Sequence, residues 1–322
     1  MRSRRPSSLP ADRRARPGGL AVAVLLAGLS VAVALAACGG SSAEPAGAAE
    51  TLAPAPDRVV AGPQGERGQF VVECGFDRFL ADDPIVHPGA SGASHLHQFF
   101  GAVDVSVDST YEGMLAGDTT CDQRADTASY WSPTLLDPDG TPIEPLRAVA
   151  YYRAGPDIDP TSVVPYPPGF MMVAGDHTAI EPQPLSVVAW SCESGGRRDA
   201  RPPDCTGEPS LRSGEAGLRL WITFPDCWNG VDARSPIVPE PSRHVAYSAA
   251  GECPPEHPVP ISQLQLAIDF PAVAAAELDA VALSSGDILS GHADFWNAWH
   301  QGKLTNEIAH CIHRDLPCGI SG

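Results

Sequence analysis

Two short motifs carry residue types that bind metals or transfer protons. His95 and His97 are two residues apart, and His292 and Asp294 repeat that spacing near the other end of the chain. On a β-strand, residues two apart point to the same face of the sheet. Two such pairs on adjacent strands would supply three imidazole nitrogens and one carboxylate to a divalent ion such as zinc or manganese. That ion would lower the pKa of a bound water and polarise an oxygen of a substrate.

Chemistry without a metal is open to the same residues. A histidine positioned by Asp294 could act as a general acid or base, and paired carboxylates could cleave a glycosidic bond. His244 is a further candidate for such a catalytic site, whereas His257, flanked by proline, is expected in a loop. The histidines could also only hydrogen-bond carbonyl or carboxylate groups and hold loops in place. The spacing leaves the metal, metal-free and structural interpretations open. The candidates for a second carboxylate, in addition to Asp294, are Glu112, Asp126 and Asp226.

Four aromatic residues are candidates for contact with a sugar. Trp228 precedes an Asn-Gly turn signal and Trp296 follows the second histidine motif. Either indole could lie against the C–H face of a sugar ring. Tyr130 or Tyr247 with a histidine would suit β-elimination in a polysaccharide. If these side chains are exposed, they favour a glycan as the ligand.

The cysteines predict a domain that folds outside the cytoplasm. Once Cys38 is set aside, eight cysteines remain, and an even number in an exported chain is typical of a disulfide framework. A zinc site made of thiolates is disfavoured, because the sequence lacks paired C-x-x-C spacing. Pairing neighbours along the sequence gives one hypothesis for the bonds: Cys74–Cys121, Cys192–Cys205, Cys227–Cys253 and Cys311–Cys318.

Short apolar runs between proline- and glycine-rich breaks predict a mostly β fold. The 33 prolines argue against long helices, and one short C-terminal helix is expected within residues 294–312. Trp131 and Trp299 are expected in the core. We therefore expect a single sandwich or jelly-roll-like domain with long disulfide-pinned loops. The runs expected to form strands are 69–73, 147–153, 170–174, 185–192, 217–224 and 261–270.

The amino terminus has the parts of a lipoprotein export signal. Six arginines are followed by a small and aliphatic stretch, and the ending Leu-Ala-Ala-Cys resembles a bacterial lipobox. We therefore predict a signal peptide at residues 1–37 and lipidation of Cys38. This predicts an extracytoplasmic protein that touches the membrane only through its lipid anchor. A plain transmembrane anchor is the alternative.

The rest of the chain is acidic. Residues 38–65, rich in Ala, Pro, Gly, Ser and Glu, are expected to form a disordered tether before a domain at residues 66–322. Removing the leader takes away six arginines and Asp12, which leaves 15 basic and 38 acidic residues and a net charge of −23. That charge repels phosphate backbones, so nucleic acid is excluded as a partner. No local basic patch that would dock an anionic polymer is evident.

An ordered series of motifs resembles a known family. The series is His-Leu-His-Gln-Phe-Phe-Gly (95–101), Ser-Tyr-Trp-Ser-Pro-Thr-Leu (129–135), Pro-Pro-Gly-Phe-Met-Met (167–172), Phe-Pro-Asp-Cys-Trp-Asn-Gly (224–230), His-Val-Ala-Tyr (244–247) and Gly-His-Ala-Asp-Phe (291–295). It is similar to DUF1996, a family of secreted proteins of filamentous fungi and actinobacteria, over residues 83–311. The resemblance implies secretion and no particular activity. Fungal members often carry a carbohydrate-binding module; here any glycan contact would come from this domain itself.

These observations favour an exported cell-surface lipoprotein with a histidine-rich polar site. The first functional hypothesis is a hydrolase or lyase that acts on a cell-wall or environmental polysaccharide, because polar segments from several loops often build one pocket. A divalent metal ion is a candidate cofactor, and the enzyme could also act without one. The alternatives are a non-catalytic glycan-binding protein and a structural protein of the cell envelope, since fold and family do not determine function.

Overall fold

The computed structural model describes residues 67–208, 217–235 and 243–320. All of them lie within the segment Glu50–Gly322, which forms one unit. The predicted signal peptide, the lipidated Cys38 and the tether lie outside the described residues. Within the described ranges, every helix is too short or too polar to cross a membrane.

A seven-stranded sheet and a five-stranded sheet make up most of the fold, which confirms the mostly β prediction. Neighbouring strands are antiparallel except for the first and last strands of the chain, which pair in parallel. In spatial order, the larger sheet contains β17 (Pro317–Ile320), β1 (Gln69–Cys74), β6 (Arg147–Arg153), β14 (Gln263–Phe270), β10 (Leu218–Thr223), β8 (Val188–Cys192) and β9 (Gly195–Asp199). The smaller sheet contains β2 (Phe76–Leu80), β3 (His97–Gly101), β4 (Ser129–Pro133), β16 (His292–Trp296) and β7 (Met171–Gly175). Each of the six runs predicted as strands contributes a strand to these sheets.

Short elements lie in the connections between the strands of the two sheets. The minor strands are β5 (Leu135–Leu136), β11 (Cys227–Trp228), β12 (Val245–Ala246), β13 (Val259–Pro260) and β15 (Ala282–Leu283). The helical elements are α1 (Tyr111–Leu115), a 3-10 turn (Pro160–Ser162), α2 (Gln301–Glu307) and a π-helical turn (Ile308–Ile312). The predicted C-terminal helix therefore begins at Gln301 rather than near Asp294. Asp294 instead lies in β16, where pairing with β4 and β7 satisfies the hydrogen-bonding groups of the backbone.

The main hydrophobic core lies between the two sheets, as in a sandwich. Alternate side chains of both sheets point into it, including Phe70 and Tyr152 from the larger sheet and Phe295 from the smaller one. Trp299 packs edge-on against the stacked rings of Phe70 and Tyr152. Trp131 is also fully buried, but it belongs to a second cluster on the outer face of the five-stranded sheet. The core positions predicted for Trp131 and Trp299 are confirmed.

Four disulfide bonds fasten loops and chain ends to the sheets. They join Cys74 to Cys121, Cys192 to Cys205, Cys227 to Cys253 and Cys311 to Cys318. These are the pairs expected from sequence neighbours. Bonds of this kind are typical of proteins outside the reducing cytoplasm.

Tyr130 lies in the main core, so it is a structural residue rather than the substrate contact suggested by the sequence. Its side chain is fully buried, and its hydroxyl donates to Asp126 Oδ2 at 2.6 Å. The same hydroxyl contacts that of Tyr152, which accepts a hydrogen bond from Trp299 Nε1 at 3.1 Å. Burial raises the pKa of Asp126 to about 8 and holds the pKa of Tyr130 well above its usual range.

We expect the pH dependence of stability to reflect Asp126. Its carboxyl has a pKa of about 8 in the fold and about 4 in an unfolded chain. The stability it contributes is complete below about pH 4 and is lost as the pH rises towards 8, at a rate of at most about 1.4 kcal/mol per pH unit. Asp126→Asn should remove this slope. Urea unfolding of the wild type and of Asp126→Asn at pH 5 and pH 8 gives the difference in unfolding free energy between these two proteins. The same difference at both pH values would contradict the prediction.

Candidate metal centre

Three of the predicted site histidines converge on the outer face of the five-stranded sheet. His97 begins β3, His292 begins β16, and His95 lies just before β3. The ring centroids are 4.2 Å apart for His95 and His97, 5.0 Å for His95 and His292, and 5.9 Å for His97 and His292. One ring nitrogen of each histidine lies within 4.8 Å of those of the other two. We call this group the three-histidine site.

The register of the sheet explains this convergence. His97 pairs with Pro133 of β4. On the other side of β4, Asp294 pairs with Trp131, and continuing that register by two residues places His292 opposite Pro133 as well. His97 and His292 therefore flank the same residue, about 10 Å apart in their backbones, since adjacent strands are about 4.8 Å apart. Imidazoles on one face can meet across that gap.

The backbone of His292 is fixed from two sides. Gly175 of β7 pairs with His292 at a φ of 87°, and a Cβ at that position would lie 2.4 Å from the Gly291 carbonyl oxygen. Only glycine allows this approach. Nε2 of Gln183 donates to the carbonyls of Leu289 at 2.9 Å and Gly291 at 2.8 Å. The segment before His292 is therefore held in place.

Backbone carbonyls orient two of the three imidazoles. Nδ1 of His97 donates to the Asp82 carbonyl, and Nδ1 of His292 donates to the Ser290 carbonyl, both at 2.9 Å. A carbonyl only accepts, so the proton is on Nδ1 and Nε2 carries a free lone pair. This is the arrangement that orients metal-binding histidines in proteins. Within the described ranges, the buried Nε2 atoms of His95 and His97 have no hydrogen-bond partner.

The loop between β2 and β3 holds the Asp82 carbonyl in position. The Asp82 carboxylate accepts hydrogen bonds from Ser91 Oγ at 3.0 Å and from the Gly92 amide at 2.8 Å. The Asp83 carboxylate accepts from the amides of Ile85 and Val86, both at 2.9 Å. These local bonds close the loop next to His97.

Asp294 lies beside the three-histidine site and belongs to a second group of potential ligands. A carboxylate oxygen of Asp294, one of Asp83 and a ring nitrogen of His97 lie within 4.8 Å of one another. Both Asp294 oxygens are buried and lack hydrogen-bond partners among the described residues. Burial, with the Asp83 charge nearby, raises the pKa of Asp294 well above its usual range. The sequence predicted one ligand set of three histidines and Asp294. The structure instead places the three histidines in one group and Asp294 in a second group with Asp83 and His97.

Burial keeps the three imidazoles neutral. It lowers the pKa of His292 to about 3 and the pKa of His95 to about 4, and it holds the pKa of His97 well below its usual value. Neighbouring imidazoles lower the pKa of each further. Neutral imidazole is the form that binds a metal ion.

A family model described as a domain of unknown function, DUF1996, matches residues 83–299. This chain belongs to the DUF1996 family. The match contains the whole three-histidine site together with Asp83 and Asp294. The comparisons with curated proteins and with solved structures found no match.

Two histidines at the rim of the three-histidine site were not predicted as site residues from the sequence. The ring of His177 lies 5.9 Å from that of His292, and both His87 and His177 influence the pKa of His95. Both side chains are exposed. His177 lies two residues beyond β7, but its place beside His292 depends on the pairing of β7 with β16, which the sequence does not reveal.

Asp83, beside the three-histidine site, is a third residue that was not predicted from the sequence. Its side chain is buried, and desolvation raises its pKa. The sequence suggested Glu112, Asp126 or Asp226 as a second carboxylate. Asp126 instead belongs to the tyrosine network, and Asp226 accepts hydrogen bonds from the Ser248 amide and hydroxyl.

His244 and Trp228 lie outside the groups of potential metal ligands that the described residues form. The His244 ring packs edge-on against Phe170 with centroids 5.1 Å apart, and its Nδ1 shares a hydrogen bond with Ser235 Oγ at 2.7 Å. Trp228 is partly buried, and its Nε1 donates to the Asp232 carbonyl at 2.7 Å. Both side chains therefore have structural partners.

The two remaining aromatic candidates differ in exposure. Tyr247 is 38% exposed, although its hydroxyl donates to the Thr223 carbonyl at 2.8 Å. Trp296 is buried in the outer cluster with Phe99 and Trp131. It lies on the same face of β16 as His292.

We expect His97 and His292 to be protonated on Nδ1 in the metal-free protein. Long-range 1H–15N spectra at pH 7 distinguish the two imidazole tautomers. His257 is an internal control, because its Nε2 donates to the Arg243 carbonyl at 2.9 Å and the opposite tautomer is expected. An Nε2-protonated His97 or His292 would show that the lone pairs do not face the site.

Proposed function

We propose that the three-histidine site binds a divalent transition-metal ion. The observation that carries this proposal is the convergence of three neutral imidazoles, two of them oriented by backbone carbonyls, with ring nitrogens within 4.8 Å of one another. Three histidines leave room for a further ligand, as in catalytic zinc sites. When bound, the ion supplies a Lewis acid that polarises oxygen ligands.

The acids beside the three-histidine site support a hydrolytic role. Asp83 and Asp294 share a group with His97, and burial raises the pKa of both carboxyls. A carboxyl whose pKa is raised keeps its proton to a higher pH and can protonate a leaving group. A Lewis acid next to a proton donor suits hydrolysis of a glycosidic bond. We therefore propose that the protein is a metal-dependent enzyme that acts on a cell-wall or environmental polysaccharide.

The cellular setting supports an extracytoplasmic substrate. Four disulfide bonds are typical of a protein outside the cytoplasm. The lipobox-like sequence before Cys38 supports a lipid anchor, which would hold the domain at the cell surface. An anchored enzyme of this kind would meet polysaccharide of the envelope or the surroundings.

We expect one zinc ion to bind per chain, as measured by isothermal titration calorimetry of the metal-free protein. His97→Ala and His292→Ala should each weaken binding by at least about 100-fold, because each removes one of three ligands. His257→Ala is the control, since this histidine lies in a loop with a carbonyl partner. Equal affinity in all four proteins would contradict the metal site.

We also expect metal-dependent release of reducing ends from at least one polysaccharide of a broad panel. Chelation should remove the activity and zinc or manganese should restore it, because the ion polarises the reacting oxygen. Asp294→Asn should retain zinc but lower turnover, since it removes the buried acid while leaving three imidazoles. Glycan binding without turnover would support the alternative, a glycan-binding protein of the cell envelope.

A further inference from the structure

Arg153 is a buried arginine on the opposite side of the sandwich. It ends β6 and pairs with Gln69 of β1 on one side and Gln263 of β14 on the other. Tyr152 points into the main core, so Arg153 points to the outer face of the seven-stranded sheet. Its exposed fraction is 0%. None of its three guanidinium nitrogens has a hydrogen-bond partner in the described part of the chain.

The positive charge of Arg153 also lacks a compensating carboxylate in the described ranges. The cations that act on it are Arg198 and Arg67. Two other arginines of the same sheet, Arg147 and Arg219, both bind Asp269. Burial lowers the pKa of Arg153 to about 9, so the guanidinium is still charged at pH 7. A buried charge without a partner is strongly unfavourable and calls for a ligand.

Arg198 and Tyr151 act on the charge of Arg153, and Gln263 is its strand neighbour on β14. Nη2 of Arg198 donates to Gln265 Oε1 at 3.1 Å, and its guanidinium lies 4.2 Å above the Trp221 ring. Arg67 is 47% exposed, and its Nη2 lies 3.7 Å from Asp157 Oδ1. Gln263 has a buried Oε1 without a hydrogen-bond partner among the described residues. The three arginines come from distant parts of the sequence, and in the fold Arg198 and Arg67 act on the charge of Arg153.

We propose that Arg153 and Arg198 form a binding site for an oxyanion, such as the carboxylate of an acidic sugar or an inorganic sulfate. The planar guanidinium presents paired N–H donors that match two oxygens of such a group. The protein has a net charge of −18, which repels anions elsewhere. This site is on the other sheet from the three-histidine site, so either proposal can fail without the other.

Calorimetric titration and thermal melting of the full-length protein test this inference. Glucuronate is compared with glucose, which lacks the carboxylate, and sulfate is compared with chloride at equal ionic strength. Saturable binding of glucuronate or sulfate is expected, with a rise in Tm, because a ligand of the folded state stabilises it. Arg153→Met should weaken this binding at least tenfold. A response to sulfate alone would assign the site to an inorganic anion.

Arg197→Met is the matched control. It removes the same charge from a side chain that is 85% exposed, so it should bind the anion like the wild type. Without anion, Arg153→Met should melt above the wild type, because it removes an unpaired buried charge. If Arg153→Met does not fold, Arg198→Met takes its place. The proposal is overturned if Arg153→Met, or Arg198→Met in its place, binds the anion as tightly as the wild type, or if no anion binds saturably.

Discussion

The antiparallel register of β3, β4 and β16 is the constraint on which the three-histidine site depends. It places His97 and His292 on either side of Pro133 and turns both imidazoles to the outer face. A slip of one residue would turn either histidine into the main core. Phe295 fixes the register of β16 through its contacts in that core. Hydrophobic packing on one face of the sheet therefore positions polar chemistry on the other.

The two proposed sites share a departure from ordinary protein interiors. Buried polar groups normally have hydrogen-bond partners, yet the described residues leave Nε2 of His97, both Asp294 oxygens and the Arg153 guanidinium without them. Local rules are broken most often where function requires it. The groups have opposite preferences: neutral imidazoles suit a cation, and a charged guanidinium suits an anion. One sandwich thus presents complementary chemistry on its two outer faces.

Local patterns predict six of the twelve strands of the two main sheets, but not β3, β4 and β16, which carry the three-histidine site. The disulfide pairs match the one hypothesis that sequence neighbours offered, although the sequence itself does not determine the pairing. Alternating or apolar runs marked the strands because period-two burial is a local property. Asp83, His87 and His177 could not be predicted, because loops bring them to the site and strand pairing over long distances positions those loops. The same limit explains Asp294, which was expected in both a helix and the metal set. Asp294 lies on the same face of β16 as His292, as its spacing predicts. Its carboxylate neighbour, Asp83, comes from the loop between β2 and β3.

The three-histidine site joins residues from the two ends of the domain sequence. His97 and His292 are separated by 195 positions, and β16 takes the place between β4 and β7 that completes the five-stranded sheet. A nascent chain therefore carries His95 and His97 but not the complete three-histidine site until most of the polypeptide has emerged. Closure of such distant contacts is slow. If the chain crosses the membrane before it folds, a metal ion could bind only after export. Which ion binds would then depend on the metals available outside the cytoplasm.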